Sequence, residues 1–208
     1  RDYSTDKHHH VDDTPFGGGA GMVLKPEPLY AAVRDILTQT DISAQKRCII
    51  LFDPAGAVFT QEKAKDFASY EQLILICGHY EGFDARVYDL ADLLLSVGDF
   101  VLTGGEIPAM LVVDATARML SGVLGDAASA PTDSFFDGIL GYPQYTRPRI
   151  FEGKSVPEVL LSGNHAEIAR WRREQSLLVT LRSRPELLEH AGLSESDRAF
   201  LRAQKGSM

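Results

Sequence analysis

The sequence predicts an α/β protein in which a domain built on a parallel sheet is followed by a small α-helical domain. Two continuous apolar runs, "RCIILFD" and "QLILICG", lie on either side of the amphipathic segment "TQEKAKDFASY". Strands that are apolar on both faces and separated by a helix are typical of a parallel βαβ unit. The helical domain is predicted by "NHAEIARWRREQSLLVTLRSRP", in which Asn164 and Glu167 occupy N-cap and capping-box positions and Pro185 follows the end.

The other elements of the first domain follow from composition and periodicity. Residues 1–23 lack periodicity and are rich in Asp, Thr, Gly and His, which is typical of a loop. In residues 27–40 the apolar side chains recur at the spacing that places them on one face of a helix, so a helix is predicted there. The stretch "DLLLSVGDFVL" predicts one or two more short strands, and "EIPAMLVVDATARMLSGV" predicts a long helix with Pro108 in its first turn.

Changes in composition divide the chain into three parts. Residues 1–125 carry the α/β pattern, and residues 126–138 are small and polar, as expected of a flexible linker. Residues 139–208 form the helical part. The segment from 147 to 184 holds eight Lys or Arg residues against four Glu, although the whole chain has a net charge of −8. This basic segment indicates either a nucleic-acid partner or a solvated helix face.

Composition also bears on the compartment. The 208-residue chain has no apolar run near the roughly 20 residues that span a bilayer, so no membrane association is expected. Cys48 and Cys77 both lie inside apolar runs, which favours reduced core residues over a disulfide or a metal site. A cytoplasmic protein is therefore expected.

Glycine-containing loops follow the apolar runs and indicate a small-molecule pocket. These loops are "DPAG" (53–56), "CGHYEGFDARV" (77–87) and "TGGE" (103–106), and the last follows the apolar run Phe100–Leu102, interpreted as a buried strand. The carboxyl ends of parallel strands meet at one edge of a sheet, where α/β proteins bind ligands. The alternative is that the glycines only turn the chain. Neither a GxGxxG fingerprint nor a Walker motif is present, so the residues alone do not identify the ligand.

Five segments, taken together, resemble a known family. They are "VDDTPFGGGAGMV", "CGHYEGFDARV", "SVGDFVLTGGEIPAM", "PTDSF" and "VPEVLLSGNHAEIARWR". The chain is similar in them to the bacterial tRNA (guanine(37)-N1)-methyltransferases of the SPOUT superfamily. The resemblance implies S-adenosylmethionine-dependent methylation of N1 of guanine 37 in tRNA. It also implies a C-terminal trefoil knot in the first domain, and a strand and helix that precede Arg1.

The resemblance also assigns roles to individual residues. Asp133 would be the base that removes the N1 proton, and Arg118 would stabilise charge on guanine O6. Arg170, Arg172 and Arg173 would bind tRNA phosphates, whereas Trp171 is expected in the core, with base stacking as the alternative. The residues expected to bind S-adenosylmethionine are Pro54, Gly78, Tyr80, Glu81, Val97, Gly98, Asp99, Phe100, Val101, Leu102, Gly104 and Gly105. The family is associated with a Mg²⁺ requirement, for which Glu81 is a candidate ligand.

The resemblance further implies a homodimer whose active site is shared between subunits, with the glycine loops of one chain facing Asp133 of the other. Three alternatives stay open from the sequence: a SPOUT enzyme that modifies ribosomal RNA, a tRNA-binding protein without catalysis, and a nucleotide-dependent dehydrogenase. The missing dinucleotide fingerprint disfavours the last of these.

Overall fold

A computed structural model describes residues 1–125 and 129–205 as a mixed α/β structure with a parallel sheet. The chain divides into two compact units, Arg1–Val123 and Leu124–Met208. Residues 126–128 of the predicted linker lie outside the described residues. Within the described residues, no helix combines the length and the apolar character needed to cross a membrane.

The first unit is built around a three-stranded parallel sheet. Its elements are β1 (Asp12–Asp13), β2 (Val23–Leu24), α1 (Pro26–Thr38), β3 (Arg47–Val58), α2 (Gln61–Phe67), β4 (Gln72–Ile76), β5 (Leu93–Ser96) and α3 (Glu106–Ala117). The strand order is β4-β3-β5, so the longest strand lies in the middle, and both of its pairings are parallel. The predicted βαβ unit is therefore confirmed in β3, α2 and β4.

The apolar run of β3 is continuous because both faces of the sheet are covered. Ile50 and Leu51 are adjacent and fully buried, and side chains of adjacent strand residues point to opposite faces. Ile50 belongs to a cluster with Phe67 of α2 and Val112 of α3. Leu51 belongs to a second cluster, whose other buried members include Val33 of α1. An alternating pattern would have left one face open to water.

Two sequence-based expectations about the sheet are wrong. Residues Phe100–Leu102 are not a strand, because β5 ends at Ser96 and Val101 is 91% exposed. The chain leaves the sheet at Gly98, which has a φ of +138° and donates its N–H to Ser96 Oγ at 3.2 Å.

The loop expected at 53–56 lies inside β3, where the register with β5 shifts between Phe52 and Ala57. A bulge, rather than a strand end, accommodates these residues.

The second unit is mainly helical in its described part. Its elements are α4 (Ser129–Thr132), β6 (Ile150–Phe151), β7 (Lys154–Ser155), α5 (His165–Ser183), α6 (Leu187–His190) and α7 (Glu195–Lys205). The Asn164 side chain accepts a hydrogen bond from Glu167 N–H at 3.3 Å, which confirms the predicted N-cap. Ile139, Leu177 and Leu201 form the buried centre of this unit.

An ion pair between Arg173 of α5 and Asp197 of α7 reinforces this packing. The guanidinium donates two hydrogen bonds to the Asp197 carboxylate, at 3.2 and 3.0 Å, and Asp197 is only 7% exposed. The same carboxylate accepts the Ser194 N–H at 3.0 Å. These hydrogen bonds, that from Arg173 above all, hold the pKa of Asp197 below its usual value.

We expect Asp197→Asn to lower the free energy of unfolding at neutral pH by about 2 kcal/mol, because a charged acceptor of Arg173 is lost. Since the folded-state pKa of Asp197 is lowered, its contribution is complete above its unfolded pKa of about 3.9 and disappears as the pH falls through the folded value. Urea unfolding of the wild type and of Asp197→Asn between neutral and acidic pH measures the difference in their free energies of unfolding, which should shrink as the pH falls. The matched control is Asp137→Asn, which removes the exposed second partner of Arg173 and should cost less than about 1 kcal/mol. An equal loss in both variants would contradict the assignment.

Candidate active site

A cavity of about 310 Å³ opens beside the carboxyl ends of the parallel strands in the first unit. The segments after β4 and β5 line it together with the bulged part of β3, in agreement with the predicted position of a ligand pocket. All but one of the residues expected to bind S-adenosylmethionine line this cavity. They are Pro54, Gly78, Tyr80, Glu81, Val97, Gly98, Phe100, Val101, Leu102, Gly104 and Gly105. Asp99 is exposed and is not among the lining residues.

The cavity is shaped by two loops whose backbones touch. His79 and Gly104 form an antiparallel bridge, and Gly105 N–H donates to Gly78 O at 2.9 Å. A Cβ atom at Gly105 would lie 2.6 Å from Cys77 Cα and 2.9 Å from Gly78 N, closer than real Cβ atoms come. Glycine at 105 is therefore required by contact between the two loops, whatever the cavity binds.

A histidine–carboxylate contact joins the same two loops on the solvent side. His79 Nε2 lies 2.5 Å from Glu106 Oε1, and this hydrogen bond is the main reason why the pKa of Glu106 is lowered. Both side chains are about half exposed, so the interaction is screened by water. Because 27 residues separate His79 from Glu106 in the sequence, no local pattern predicted this pair.

Asp53 is a lining residue that the sequence analysis did not select. Its carboxylate accepts the Ala55 N–H at 2.8 Å and the hydroxyl of Tyr88. Burial, followed by this hydrogen bond, raises the pKa of Tyr88 to about 12. The carboxylates of Asp53, Glu81 and Glu106 thus lie at or beside the cavity, which favours a ligand with positive charge.

The structure places the two expected catalytic residues in different units. Arg118 is partly buried and follows the last turn of α3, where its N–H donates to Asp114 O at 3.2 Å. Asp133 is exposed and directly follows α4. Their catalytic roles stay predictions.

The three arginines expected to bind tRNA differ in their surroundings. Arg170 is largely exposed and lies 3.8 Å from Glu174 on the same helix. Arg172 is exposed, and its guanidinium carbon lies 4.9 Å from the centre of the Tyr142 ring. Arg173 already pairs with Asp197 and with Asp137, the latter at 2.5 Å. Trp171 was expected in the core but is only partly buried, beside Tyr145.

The described residues do not provide a protein cage for a metal ion. Among them, no group of three or more His, Cys, Asp and Glu side chains is arranged to hold one. Glu81, the candidate Mg²⁺ ligand, is exposed at the cavity, and the carboxylate of Asp53, which also lines it, already accepts hydrogen bonds from Ala55 and Tyr88. The described residues alone therefore do not fit a Mg²⁺ site, and no step of the chemistry is assigned to Mg²⁺.

Comparison with known proteins identifies the family. The family model described as tRNA (Guanine-1)-methyltransferase matches residues 1–190. The chain belongs to this family. It is 53% identical over 206 residues to a tRNA (guanine-N(1)-)-methyltransferase of Caldanaerobacter subterraneus, covering 99% of this chain and 83% of that protein. A protein of the same name from Dehalococcoides mccartyi is 55% identical over 97% of this chain and 80% of its own length. One from Desulfitobacterium hafniense is 57% identical over 90% and 70%.

The family membership confirms the resemblance carried by the five sequence segments. All five segments contribute to helices, strands or loops of the described residues. The membership does not assign roles to single residues, so the roles of the cavity, Asp133 and Arg118 stay predictions.

We expect Gly105→Ala to destabilise the first unit by about 1–3 kcal/mol, because the added methyl group overlaps backbone atoms of Cys77 and Gly78. Denaturant unfolding measures the change. Gly192→Ala is the matched control, since a Cβ atom there would have no neighbour within 4 Å. Equal stability of the two variants would show that the loops separate without cost.

Proposed function

We propose that the protein transfers a methyl group from S-adenosylmethionine to N1 of guanine 37 in tRNA. The observation that carries this proposal is the match of residues 1–190 to the tRNA (Guanine-1)-methyltransferase family. The relatives that bear this activity in their names align with nearly the whole chain. The same proposal places the protein in the cytoplasm, where its tRNA substrate is found. Its two cysteines are both free, which agrees with a reducing compartment.

The cavity of the first unit has the chemistry to hold the methyl donor. Backbone groups of Val97, Gly104 and neighbouring residues would bind a nucleoside, and Tyr80 and Phe100 offer aromatic surface. Bound S-adenosylmethionine supplies a methyl group on a positively charged sulfonium, and the carboxylates at the cavity match that charge. The trefoil knot belongs to this proposal, and backbone contacts as close as that at Gly105 support it.

Methylation at N1 requires a base, because the lone pair of N1 is not available while its proton is present. We assign proton removal to the Asp133 carboxylate, which would accept the proton while the bond from N1 to the methyl carbon forms and the bond from that carbon to the sulfonium sulfur breaks, leaving a neutral thioether. Negative charge then develops on guanine O6, and the guanidinium of Arg118 stabilises it. Asp133 is exposed in the second unit, where an arriving tRNA can reach it.

We assign tRNA binding to the second unit, with Arg170 and Arg172 as phosphate contacts. Both are exposed, and in the part of the chain that the structure describes neither pairs with a buried carboxylate. Arg173 would have to leave Asp137 and Asp197 to contact a phosphate. Its main contribution is therefore to keep α5 and α7 together, so that its neighbours are correctly presented.

The experiment that tests the function measures methyl transfer to tRNA transcripts with and without guanine at position 37. Asp133→Asn should lower the rate by roughly 10²–10⁴-fold, because an amide cannot accept the N1 proton. Affinity for S-adenosylmethionine, measured by calorimetry, should be nearly unchanged. Asp137→Asn carries the same charge change four residues away and should keep most of the activity. A nearly normal rate in Asp133→Asn would rule out this base.

We further propose that two copies of the chain form a homodimer through α3. Pro108, Val112 and Thr116 bury one face of this helix. The opposite face carries Ile107 and Met110, which are 63% and 71% exposed. A helix that is apolar on both sides requires a second covering surface, and a two-fold axis lets the same face cover itself.

The proposed dimer shares its active sites, so that glycine loops of one chain work with Asp133 of the other. Gly105→Val should remove cofactor binding, because its branched side chain overlaps backbone atoms of Cys77 and Gly78 in the glycine loops, whereas Asp133→Asn removes the base. Mixing the two variants and isolating the heterodimer tests this arrangement. One of its two sites then combines intact loops with an intact aspartate, and about half of the wild-type activity should return. An inactive heterodimer that still binds cofactor and tRNA would reject the shared site.

A further inference from the structure

The second unit contains a cavity of about 490 Å³ that the proposed chemistry does not use. The extended segment before β6 forms one wall, and Ile168, Trp171 and Arg172 of α5 form another. Asp133 belongs to the same unit but is not among the lining residues. This cavity is therefore distinct from the position of the proposed catalytic base.

The walls of this cavity combine aromatic rings with cations. Its rings belong to Tyr142, Tyr145 and Trp171, and its cations to Arg147, Arg149 and Arg172. Tyr145 is 48% exposed, and its ring centre lies 6.4 Å from that of Trp171 at an angle of 55°. The rings thus form an open, partly solvated surface instead of a closed core.

The arginines at this surface remain available to an anion. Arg147 makes no ion pair within the described residues, and Arg149 lies 3.7 Å from Glu158. Both members of that pair are largely exposed, so their interaction is weak. Arg172 stacks on Tyr142, which extends a flat surface while keeping its charge.

Planar stacking surfaces next to cations are what an unstacked nucleotide requires. Proteins bind single-stranded RNA by stacking bases on aromatic rings or on arginine and by pairing phosphates with cations. A phosphorylated peptide would use the arginines but would leave three aromatic rings without a matching group. The combination therefore favours a nucleotide.

We propose that this cavity binds one unstacked nucleotide of the tRNA, other than the guanine that is methylated. The base stacks on the surface formed by Tyr145 and Trp171, and Arg147 and Arg149 contact the adjacent phosphates. This inference rests on the proposed function, because tRNA supplies the nucleotide.

Trp171 is the single tryptophan of the chain, so its fluorescence reports on this cavity directly. Titration with a tRNA transcript should quench it to saturation. A short single-stranded oligoribonucleotide should also quench it, with lower affinity. Polyglutamate supplies anionic charge without bases and should cause little change. Quenching by polyglutamate equal to that by RNA would overturn the proposal, because charge alone would then explain it.

Substitution of Tyr145 tests the stacking contact itself. Tyr145→Leu keeps an apolar side chain but removes the ring, and should weaken tRNA binding by about tenfold, as loss of one stacked base does. Much of this loss should persist at high salt, whereas phosphate contacts weaken there. Tyr70→Leu, at a partly exposed tyrosine of the first unit, is the matched control. Arg147→Gln provides a second variant, which should weaken binding mainly at low salt.

The outcomes separate this inference from the proposed function. If wild-type protein binds and methylates tRNA while Trp171 fluorescence and the affinity of both cavity variants stay unchanged, the nucleotide site is overturned and the methyltransferase function stands. If wild-type protein binds tRNA and shows quenching but no methyl transfer, the nucleotide site stands and the catalytic proposal fails. If it does not bind tRNA, both are overturned.

Discussion

The approach of two loop backbones at Gly105 is the constraint on which the cavity of the first unit depends. The hydrogen bond from Gly105 to Gly78 O holds the loop after β4 against the loop before α3. Only a residue without a side chain permits that distance, because Cys77 Cα occupies the place of a Cβ atom. The opening that these loops surround carries aromatic rings, and the carboxylates of Asp53, Glu81 and Glu106 lie at or beside it. Backbone contact thus determines the shape in which a ligand can be held.

The parallel sheet makes this contact possible by placing both loops at the same edge. β3 lies between β4 and β5 and is covered on both faces, so its strand neighbours and the packed helices fix its position. In many proteins, rigid strands supply stability and the irregular loops that follow them supply the ligand contacts. The exposed residues Phe100 and Val101 are an example of such loop contacts, because they lie outside the sheet and line the cavity.

Three neighbouring arginines on α5 show how tertiary surroundings divide identical side chains. Arg173 is held by a nearly buried carboxylate and stabilises the second unit. Arg172 stacks on an aromatic ring, and Arg170 extends into solvent. The family resemblance suggested one common role in phosphate binding. The structure distinguishes a stabilising contact, a stacking surface and an exposed cation.

The sequence by itself determined the parallel βαβ unit, the capped helix α5 and the family, because these depend on local periodicity, capping residues and ordered motifs. It also located eleven residues that surround one cavity. Tertiary structure alone decided that Phe100–Leu102 leave the sheet, since an apolar run does not reveal whether a strand partner is within reach. It likewise decided that Arg173 pairs with Asp197 and that His79 meets Glu106. Contacts between residues 24 and 27 positions apart depend on how whole elements pack, and periodicity carries no information about that distance.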